Sequence, residues 1–502
     1  MQAKIKNLAF RGIDTTPVDV QVHLSNGLPS MAIVGLADKA VAESKERVRA
    51  ALSSMGLALP PKRIAINLAP ADLAKEGSHY DLPIALGLMV AMNVLPADSF
   101  DGMVVLGELS LDGTIAPVHG VLSAAIGASA EDCGLICPAA CGAEAAWAGE
   151  VNIIAAPSLP ALINHLRGDQ VLTPPQPKQQ PRDQHHPNMK DLAGQFTARR
   201  ALEIAAVGSH NLLMMGPPGA GKSMLAARLP GLLPPLTPAE ALEATMIHSL
   251  AGRLEQGGLV INRPFRDPHH SASIAALVGG GSRARPGEVS LAHGGVLFLD
   301  ELAEWNRTHL DALRQTIETG KAVVSRANHH ITYPARFQLI AAMNPCRCGY
   351  LGDPARACSR APGCSRQYLS KISGPMLDRF DMMIEVPEVQ INTLSRAGTS
   401  EDSATVAGRI AAARQFAGQR PQQAGGMPNA HLGADMLEDV MGMDEKAHQL
   451  IEDAASKQGL SARGYHRLLK IARTIADLDQ QPAVTSRHIA EALQYRRLPV
   501  TA

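Results

Sequence analysis

Aromatic residues are scarce in this 502-residue chain, because Phe, Trp and Tyr together make up only 3% of it. Extensive stacking of bases on aromatic side chains, as in many single-strand-binding proteins, is therefore not expected. Net charge is lacking as well, since 47 basic side chains balance 47 acidic ones. This balance argues against a protein coated in positive charge, but it leaves room for a local track of Lys and Arg inside a groove or ring.

Long apolar runs are also missing. The segment Met1–Phe10 carries two lysines and lacks the continuous apolar core of a signal peptide. The longest apolar stretch, Leu82–Leu95, is too short to span a bilayer and contains Pro83 and Asn93. We therefore expect a cytoplasmic protein without a membrane partner. The hydrophobic content of 46% is enough for two or three cores, so a single domain is not expected.

The cysteines number seven, and an odd count in a large chain argues for reduced thiols or metal ligation rather than a disulfide framework. Four thiolates are enough for a tetrahedral Zn²⁺ site. The spacing here differs from the usual pair of CxxC arms, so reduced cysteines in a loop are the alternative. The candidate zinc ligands, in one Gly- and Pro-rich stretch, are Cys346, Cys348, Cys358 and Cys364.

The most informative motif directly follows the apolar run Leu212–Met215. Its glycines let the backbone aim N–H groups at phosphate oxygens, and the next helix adds its positive N-terminal end. Lys222 is expected to reach the β- and γ-phosphates, and Ser223 to bind Mg²⁺. The motif predicts a site for ATP and Mg²⁺ formed by Gly216, Pro217, Pro218, Gly219, Ala220, Gly221, Lys222 and Ser223.

A second apolar run, Val296–Leu299, ends in two acidic residues, Asp300 and Glu301. A buried central strand needs this pattern if its C-terminal end is to face a magnesium nucleotide. Asp300 would then hold the metal, and Glu301 would hold the attacking water. The alternative, a core strand followed by a solvated acidic turn, is disfavoured by the P-loop earlier in the chain.

Three further residues are candidates for the same site. Asn344 ends another apolar strand and could orient the attacking water, or it could be a turn residue before a proline. Arg379 lies where an oligomeric ATPase presents an arginine to its neighbour's nucleotide, and the alternative is an ion pair with Asp378 or Asp381. Arg463, near a helix start, could contact the same nucleotide or be a solvated helix arginine.

The Pro- and Gln-rich stretch 173–187 is typical of an extended linker. We therefore predict an N-terminal domain over residues 1–170, a linker over 171–189, an α/β ATPase domain over 190–390 and a helical lid over 391–502. The N-terminal domain alternates strand-like and helix-like runs, which indicates an α/β or α+β unit. The segment Phe265–Glu288, with three consecutive glycines, predicts an exposed and mobile excursion.

With these motifs in place, nearly the whole chain resembles the AAA+ ATPases of the magnesium-chelatase-like group. The resemblance rests on the Walker A motif (216–223), the Walker B acids, the Asn344 strand, the MLDRFD segment and residues 461–467. It implies an AAA+ P-loop domain with a helical lid and a homohexameric ring. It assigns Asn344 to sensor 1, Arg379 to an arginine finger acting in trans, and Arg463 to sensor 2.

The same resemblance implies that the Phe265–Glu288 excursion is the helix-2 insert of this group and that Lys321–Tyr333 is its pre-sensor-1 hairpin. Two short apolar runs could pair here across a tip of residues 327–330. If this hairpin points into the pore of a ring, its basic side chains would meet DNA phosphates without reading sequence. An ordinary solvated hairpin is the alternative. The candidate DNA contacts are Lys321, Arg326, His329 and His330.

The first domain resembles the Lon-protease-like (ribosomal S5-like) α+β fold, which raises the possibility of a protease. Aligned with the Lon-type motifs, Ile84 stands at the nucleophilic serine and Leu122 at the lysine that activates it. Neither aliphatic side chain can supply a hydroxyl or a base, so protease activity is not expected.

Among members of the group, the chain is similar to a bacterial DNA helicase that promotes branch migration during natural transformation. We therefore expect a ring-forming ATPase that moves single-stranded, forked or branched DNA. A protein-remodelling or chelatase-type ATPase is the alternative.

Overall fold

The computed structural model describes residues 2–178, 186–254, 257–281, 284–326, 329–351, 356, 358–360, 363–389, 401–420, 426–458 and 460–496. These residues form two α/β units, each built on its own sheet, and a helical C-terminal region. Within them, no helix combines the length and the apolar character that crossing a membrane would require.

The N-terminal unit is a seven-stranded mixed sheet in the order β3-β4-β2-β1-β5-β8-β9. Its first two strands form a long antiparallel pair in which alternate side chains are buried, as expected for a sheet with one face against a core. Strands β6 and β7 form a separate antiparallel pair. The strands of the unit are β1 Gln2–Arg11, β2 Asp14–Ser25, β3 Ser30–Val34, β4 Arg63–Ala69, β5 Met103–Val105, β6 Glu108–Leu109, β7 Ile115–Ala116, β8 Gly134–Pro138 and β9 Ile153–Ala156. Its helices are α1 Lys39–Ser54, α2 Asp81–Ala91, α3 Val121–Ala130, α4 Gly142–Ala145 and α5 Leu159–Arg167.

The second unit is a parallel five-stranded sheet in the order β11-β14-β17-β10-β18. Its central strands are continuous apolar runs because helices cover both faces. Two antiparallel pairs, β12–β13 and β15–β16, lie outside this sheet. The strands of the unit are β10 Leu212–Met215, β11 Phe265–Arg266, β12 Gly279–Gly280, β13 Arg285–Pro286, β14 Val296–Leu299, β15 Lys321–Arg326, β16 His329–Pro334, β17 Gln338–Met343 and β18 Met382–Glu385. Its helices are α6 Phe196–Gly208, α7 Lys222–Ala226, α8 Pro238–Leu250, α9 Ile274–Val278, α10 Glu288–Leu291, α11 Arg307–Thr319, α12 Gly363–Leu369 and α13 Gly374–Leu377.

The C-terminal region is helical, as the sequence predicts. Ser461 begins the longest of its helices as an N-cap, because its side chain accepts a hydrogen bond from the Gly464 N–H. The buried Arg473 and Asp477 of that helix form an ion pair that also includes Arg420. The helices are α14 Ser403–Gly418, α15 Ala434–Met441, α16 Glu445–Gln458, α17 Ala462–Leu478 and α18 Ser486–Gln494.

The two sheet-based units meet through a buried polar contact. Glu144, in α4, accepts hydrogen bonds from the Ser249 hydroxyl of α8 and from the Leu122 N–H at the start of α3. Burial raises the pKa of the Glu144 carboxyl. The Ser249 hydroxyl also accepts a hydrogen bond from the Gly120 N–H. Side chains from α4 and α8 thus together satisfy backbone N–H groups at the amino end of α3.

The expected excursion over Phe265–Glu288 is wrong at its start and correct only in part over the rest. Its first two residues form β11, an edge strand of the five-stranded sheet, rather than leaving the domain. The segment is also only partly exposed, since Leu277 and Ala284 within it are buried while Ile274 is 47% exposed. Hairpin β12–β13 lies against β15, and the Tyr333 hydroxyl donates a 2.9 Å hydrogen bond to the Ala284 carbonyl. The expectation failed because it rested on the three consecutive glycines and gave too little weight to the apolar residues around them.

Candidate nucleotide site

The P-loop joins β10 to α7 at the carboxyl edge of the parallel sheet. Gly219 and Gly221 adopt φ values of +78° and +88°, a left-handed backbone that favours glycine. Gly216 needs the absence of a side chain for another reason, because a Cβ there would lie 2.0 Å from the Val386 carbonyl oxygen. The loop can therefore close tightly enough to direct its N–H groups inward.

Lys222 is buried at the centre of this loop. Its ammonium group donates hydrogen bonds of 2.8 Å to the carbonyls of Gly216 and Pro217, and one of 3.2 Å to the Asn344 Oδ1. Burial lowers the pKa of Lys222, while the carboxylates of Asp300 and Glu301 oppose that shift. The predicted sensor residue Asn344 therefore contacts the P-loop lysine directly. This contact would not be needed if Asn344 were only a turn residue before a proline.

The Walker B residues lie beside the P-loop because β14 and β10 flank β17 in the same parallel sheet. The Ser223 hydroxyl donates a 2.8 Å hydrogen bond to the Asp300 carboxylate. Glu301 follows in a left-handed conformation with φ +49°, which residues other than glycine adopt uncommonly. Its N–H donates to the other Asp300 oxygen at 2.8 Å, and the Trp305 indole donates to the Asp300 carbonyl.

These residues fit ATP and Mg²⁺. The loop has the left-handed glycines that a phosphate cradle needs, and a lysine lies at its centre. A hydroxyl paired with a carboxylate is the oxygen donor set that Mg²⁺ prefers beside phosphates. Ser223 and Asp300 would hold the cation, and Lys222 would hold phosphate oxygens.

Two residues near this site were missed by sequence reasoning. Gln195 adopts φ +54°, and its side-chain amide donates to the carbonyls of Ala220 in the P-loop and Pro387 after β18. His270 lies with its Nδ1 3.3 Å from the Glu301 Oε2. Gln195 lies in the turn before α6, and His270 lies in the segment that was expected to leave the domain, so no local pattern connected either residue with the nucleotide site.

Arg379 lies at the opposite edge of the sheet from this chain's own P-loop. Strands β10 and β18 run parallel over four paired residues, which is roughly 13 Å of strand. The P-loop follows the end of β10, whereas Arg379 precedes the start of β18, where its carbonyl accepts a hydrogen bond from the Asn211 amide. Its side chain pairs with Glu318 of α11. An intrachain ion pair thus exists, but its partner is neither of the two aspartates considered from sequence.

Those aspartates have a different arginine partner. Arg467, in α17, lies 3.8 Å from Asp378 and 3.5 Å from Asp381. Burial and the nearby charges of Arg467, Arg314 and Arg463 lower the pKa of Arg379. Arg463 therefore shares the arginine-rich edge with Arg379. Arg467 was not singled out from the sequence, because its helical periodicity resembles that of any half-buried residue of the C-terminal helices.

Three of the predicted zinc ligands converge just after Asn344. The sulfur atoms of Cys346, Cys348 and Cys364 all lie within 4.8 Å of one another, with 3.1 Å between the first two. Cys358 lies beside Cys348 and Cys364. A hydrogen bond from the Tyr350 N–H is the largest of the contacts that lower the pKa of Cys348 to about 6. Soft thiolates in this number suit Zn²⁺.

The predicted β-hairpin forms, as β15 and β16 pair from Lys321↔Pro334 to Arg326↔His329. Its turn is shorter than expected, because His329 and His330 belong to β16 rather than to the tip. Residues 327 and 328 of the expected tip lie outside the described residues, as do the side chains of Arg326, His329 and His330. Lys321 is exposed at the base of the hairpin.

The N-terminal unit offers no Lon-type dyad at the aligned positions, since Ile84 and Leu122 are both fully buried in its core. Ser78 and Lys75, which are close in sequence, also have separate partners. The Ser78 hydroxyl donates to the Glu108 carboxylate, and the Lys75 ammonium donates to the Pro70 carbonyl.

A parallel sheet of this strand order, with a P-loop after its central strand and two acids after its neighbour, defines a P-loop protein of the AAA+ class. Three family models match the chain. Their descriptions are "Magnesium chelatase, subunit ChlI" over residues 188–394, "Subunit ChlI of Mg-chelatase" over 20–140, and "Magnesium chelatase, subunit ChlI C-terminal" over 400–496.

Relatives match over nearly the full length. A protein named YifB from Salmonella typhimurium is 42% identical over 497 residues, covering 99% of this chain and 97% of that protein. Competence protein ComM from Haemophilus influenzae is 43% identical over 505 residues, with the same coverage. Lon protease 2 of Bacillus subtilis is 29% identical over 189 residues, or 31% of this chain and 32% of that protein. The chain belongs to the magnesium-chelatase-like family that includes ComM and YifB.

Proposed function

We propose that this chain is an ATP-hydrolysing, ring-forming cytoplasmic motor that moves branched or partly single-stranded DNA, in natural transformation or recombination. The observation that carries the proposal is the position of Arg379 at the sheet edge opposite the P-loop. From there the arginine can reach the nucleotide of a neighbouring chain more readily than its own. A ring places such a neighbour beside every chain. The name of the Haemophilus relative, competence protein, supports the biological setting.

Hydrolysis is divided among residues of this site. Bound MgATP would supply the γ-phosphoryl group, which is transferred to water with ADP as the leaving group. Lys222 neutralises phosphate charge, Ser223 and Asp300 hold the metal, and Glu301 accepts the proton of the attacking water. Asn344, hydrogen-bonded to Lys222, senses the γ-phosphate. Arg379 and Arg463 of a neighbouring subunit stabilise the charge that develops on the transferred group.

The ring is a homohexamer in this proposal, with domain bounds near residues 170, 190 and 390. The β15–β16 hairpin points into the pore and contacts DNA through Lys321, Arg326, His329 and His330. Because the chain as a whole is neutral, this contact is local, and binding should weaken as salt is raised.

The test is ATP turnover measured with single-stranded, duplex, forked and four-way DNA. We expect stimulation by forked or four-way DNA together with unwinding of those substrates. If neither DNA raises turnover or is unwound, the helicase assignment is wrong. A protein-remodelling or chelatase-type activity, favoured by the description of the matching family models, then takes its place.

The cysteine cluster holds Zn²⁺ in this proposal. It fixes the loop between Asn344 and α12, a stretch with little apolar content of its own. Elemental analysis of the purified protein should find about one zinc per chain. The metal should be lost from Cys364→Ser and kept in Cys133→Ser, whose thiol lies in the N-terminal unit. Equal metal content in all three proteins, or none in any, contradicts the assignment.

A further inference from the structure

The segment over residues 344–349, which follows β17, contacts the P-loop at two points. At its start, the Asn344 Oδ1 accepts the 3.2 Å hydrogen bond from Lys222. At its end, Gly349 lies against Pro218, because a Cβ at Gly349 would be 2.6 Å from the proline Cδ. Gly349 also has φ +86°, so a side chain is disfavoured there by the backbone as well as by the contact. The segment therefore borders the P-loop from outside.

Two of the clustered cysteines lie between these contact points. Cys346 is buried, and its sulfur is 3.1 Å from that of Cys348. The Cys346 carbonyl accepts a 3.0 Å hydrogen bond from the Gly349 N–H, which closes a tight turn that includes both cysteines. A change that opens this turn would consequently move Gly349 away from its place beside the P-loop.

The other side of the cluster is anchored in α12. Cys364 belongs to that helix, and its sulfur lies within 4.8 Å of the sulfurs of Cys346 and Cys348. The next residue, Ser365, is buried, and its hydroxyl donates a 2.8 Å hydrogen bond to the Pro345 carbonyl. A metal ion shared by these thiols would thus join the turn to a helix and hold the turn closed.

The P-loop needs an external support because of its own glycines. Gly219 and Gly221 follow Pro218 closely, and glycine loses more conformational freedom than any other residue when it is fixed. A neighbour that restricts Pro218 before nucleotide enters lowers the entropy lost on binding, so the nucleotide binds more tightly. Lys222 remains available for phosphate oxygens, since the support comes from outside the loop.

We infer that the cysteine cluster is a positioning element for the P-loop: Zn²⁺ held by its thiolates keeps Gly349 against Pro218 and thereby raises the affinity of the site for ATP. Coupling between two binding sites is reciprocal, so bound ATP raises the affinity of the cluster for Zn²⁺ by the same factor. The inference rests on the proposed function, because it requires both the zinc site and the ATP site.

Two binding measurements on the full chain test this coupling. Titration with a fluorescent ATP analogue at constant Mg²⁺ gives its Kd in zinc-loaded and zinc-free protein, and we expect about tenfold tighter binding with zinc. Competition for Zn²⁺ against a coloured chelator gives the zinc affinity with and without a saturating non-hydrolysable ATP analogue. That affinity should rise by the same factor of about ten when the analogue is present.

Three variants locate the coupling in the contact. Gly349→Ala drives the turn away from Pro218, so it should keep about one zinc per chain and yet show nearly equal analogue affinity with and without zinc. Pro218→Ala removes the same contact from the P-loop side and should lose the coupling as well. Gly363→Ala is the matched control, because its Cβ would meet no described heavy atom within 4 Å although it adjoins Cys364. It should keep the wild-type factor.

Equal analogue affinity in zinc-loaded and zinc-free wild type overturns the inference, and so does a tenfold coupling that survives in Pro218→Ala. If Gly349→Ala loses its zinc, Pro218→Ala decides alone, because its cysteine segment is unchanged. Absence of zinc from the wild type would instead defeat the zinc assignment in the proposed function. Failure of the wild type to bind the analogue at all would defeat the ATP site, so the failures are distinguishable.

Discussion

The Ser223 hydroxyl donates a 2.8 Å hydrogen bond to Asp300, although 77 residues separate them in the chain. The contact joins the end of the P-loop to the end of β14 and brings together the two oxygen donors proposed for Mg²⁺. Each side chain can exchange this bond for a bond to the cation without moving far. The site is therefore arranged for metal-bound phosphate before any nucleotide enters.

The first prediction concerns this pair. Asp300→Asn removes one negative charge from the cation site while keeping the shape of the side chain. We expect the Mg²⁺ concentration for half-maximal ATP hydrolysis to rise about tenfold, equivalent to about 1.4 kcal/mol. Ser223→Ala should shift it in the same direction. Titration of turnover with Mg²⁺ at saturating ATP gives the measurement. The exposed lid variant Asp439→Asn serves as the control, and an identical Mg²⁺ requirement in all four proteins would refute the pairing.

The second prediction separates binding from chemistry at Glu301. Glutamine keeps the size of the side chain but cannot accept the proton of the attacking water. Glu301→Gln should bind ATP with wild-type affinity and hydrolyse it at least about 100-fold more slowly. Steady-state turnover and equilibrium binding of labelled ATP measure the two quantities. Glu304→Gln, which changes an exposed acid paired with Lys371, is the matched control. Ordinary turnover in Glu301→Gln would exclude its assigned role.

The third prediction tests whether Arg379 acts on a neighbouring subunit. Arg379→Ala and Lys222→Ala should each lose about 10³-fold or more in kcat as separate proteins. Mixed rings contain sites that combine an intact P-loop from one variant with an intact arginine from the other. With random mixing, about a quarter of the sites are of this kind, so turnover should return to about that fraction. ATPase assays over a series of mixing ratios measure the recovery.

Failure of recovery, in mixtures where an untagged variant co-purifies with a tagged one, would mean that Arg379 serves its own chain. Its ion pair with Glu318 would then be its principal role.

The sequence predicts the parts of this site that depend on local chemistry. The P-loop needs left-handed glycines and a lysine at fixed spacing, and the acids that follow β14 need a buried strand before them. Gly219, Lys222 and Asp300 could therefore be proposed from the sequence, and the structure places the last two close together. The four clustered cysteines were found for the same reason, since a short loop limits how far apart they can lie.

Residues brought to the site by tertiary arrangement were not predicted. His270 follows a two-residue strand whose place beside β14 depends on sheet order, which carries no local pattern. Gln195 reaches the P-loop from the turn before α6. The long pair β1–β2 was not identified, because Gln2–Arg11 mixes buried and charged positions. The burial of Leu277 likewise depends on tertiary packing, and the three glycines that follow it give no local sign of that packing.

The last prediction concerns stability and pH in the N-terminal unit. His79 is buried, and burial lowers its pKa to about 4, while the 3.1 Å contact of its Nε2 with the Leu8 carbonyl opposes that shift. The unfolded chain takes up this proton near pH 6.5, whereas the folded chain does so only near pH 4. Stability contributed by the neutral imidazole is therefore complete above the unfolded-state pKa and is lost as the pH falls towards the folded-state pKa. From pH 7 to pH 5 this loss is about 2 kcal/mol.

His79→Gln keeps an N–H donor for the Leu8 carbonyl but does not titrate. Its unfolding free energy should consequently fall less between pH 7 and pH 5 than that of the wild type, by about 2 kcal/mol. Urea unfolding followed by fluorescence measures this in a Trp305→Phe background, where Trp147 of the N-terminal unit is the remaining tryptophan of the chain's two. His23→Gln, at an exposed position of the same sheet, should retain the wild-type pH dependence. Equal slopes for His79→Gln and the wild type would mean that His79 takes up its proton as readily in the folded unit as in the unfolded chain.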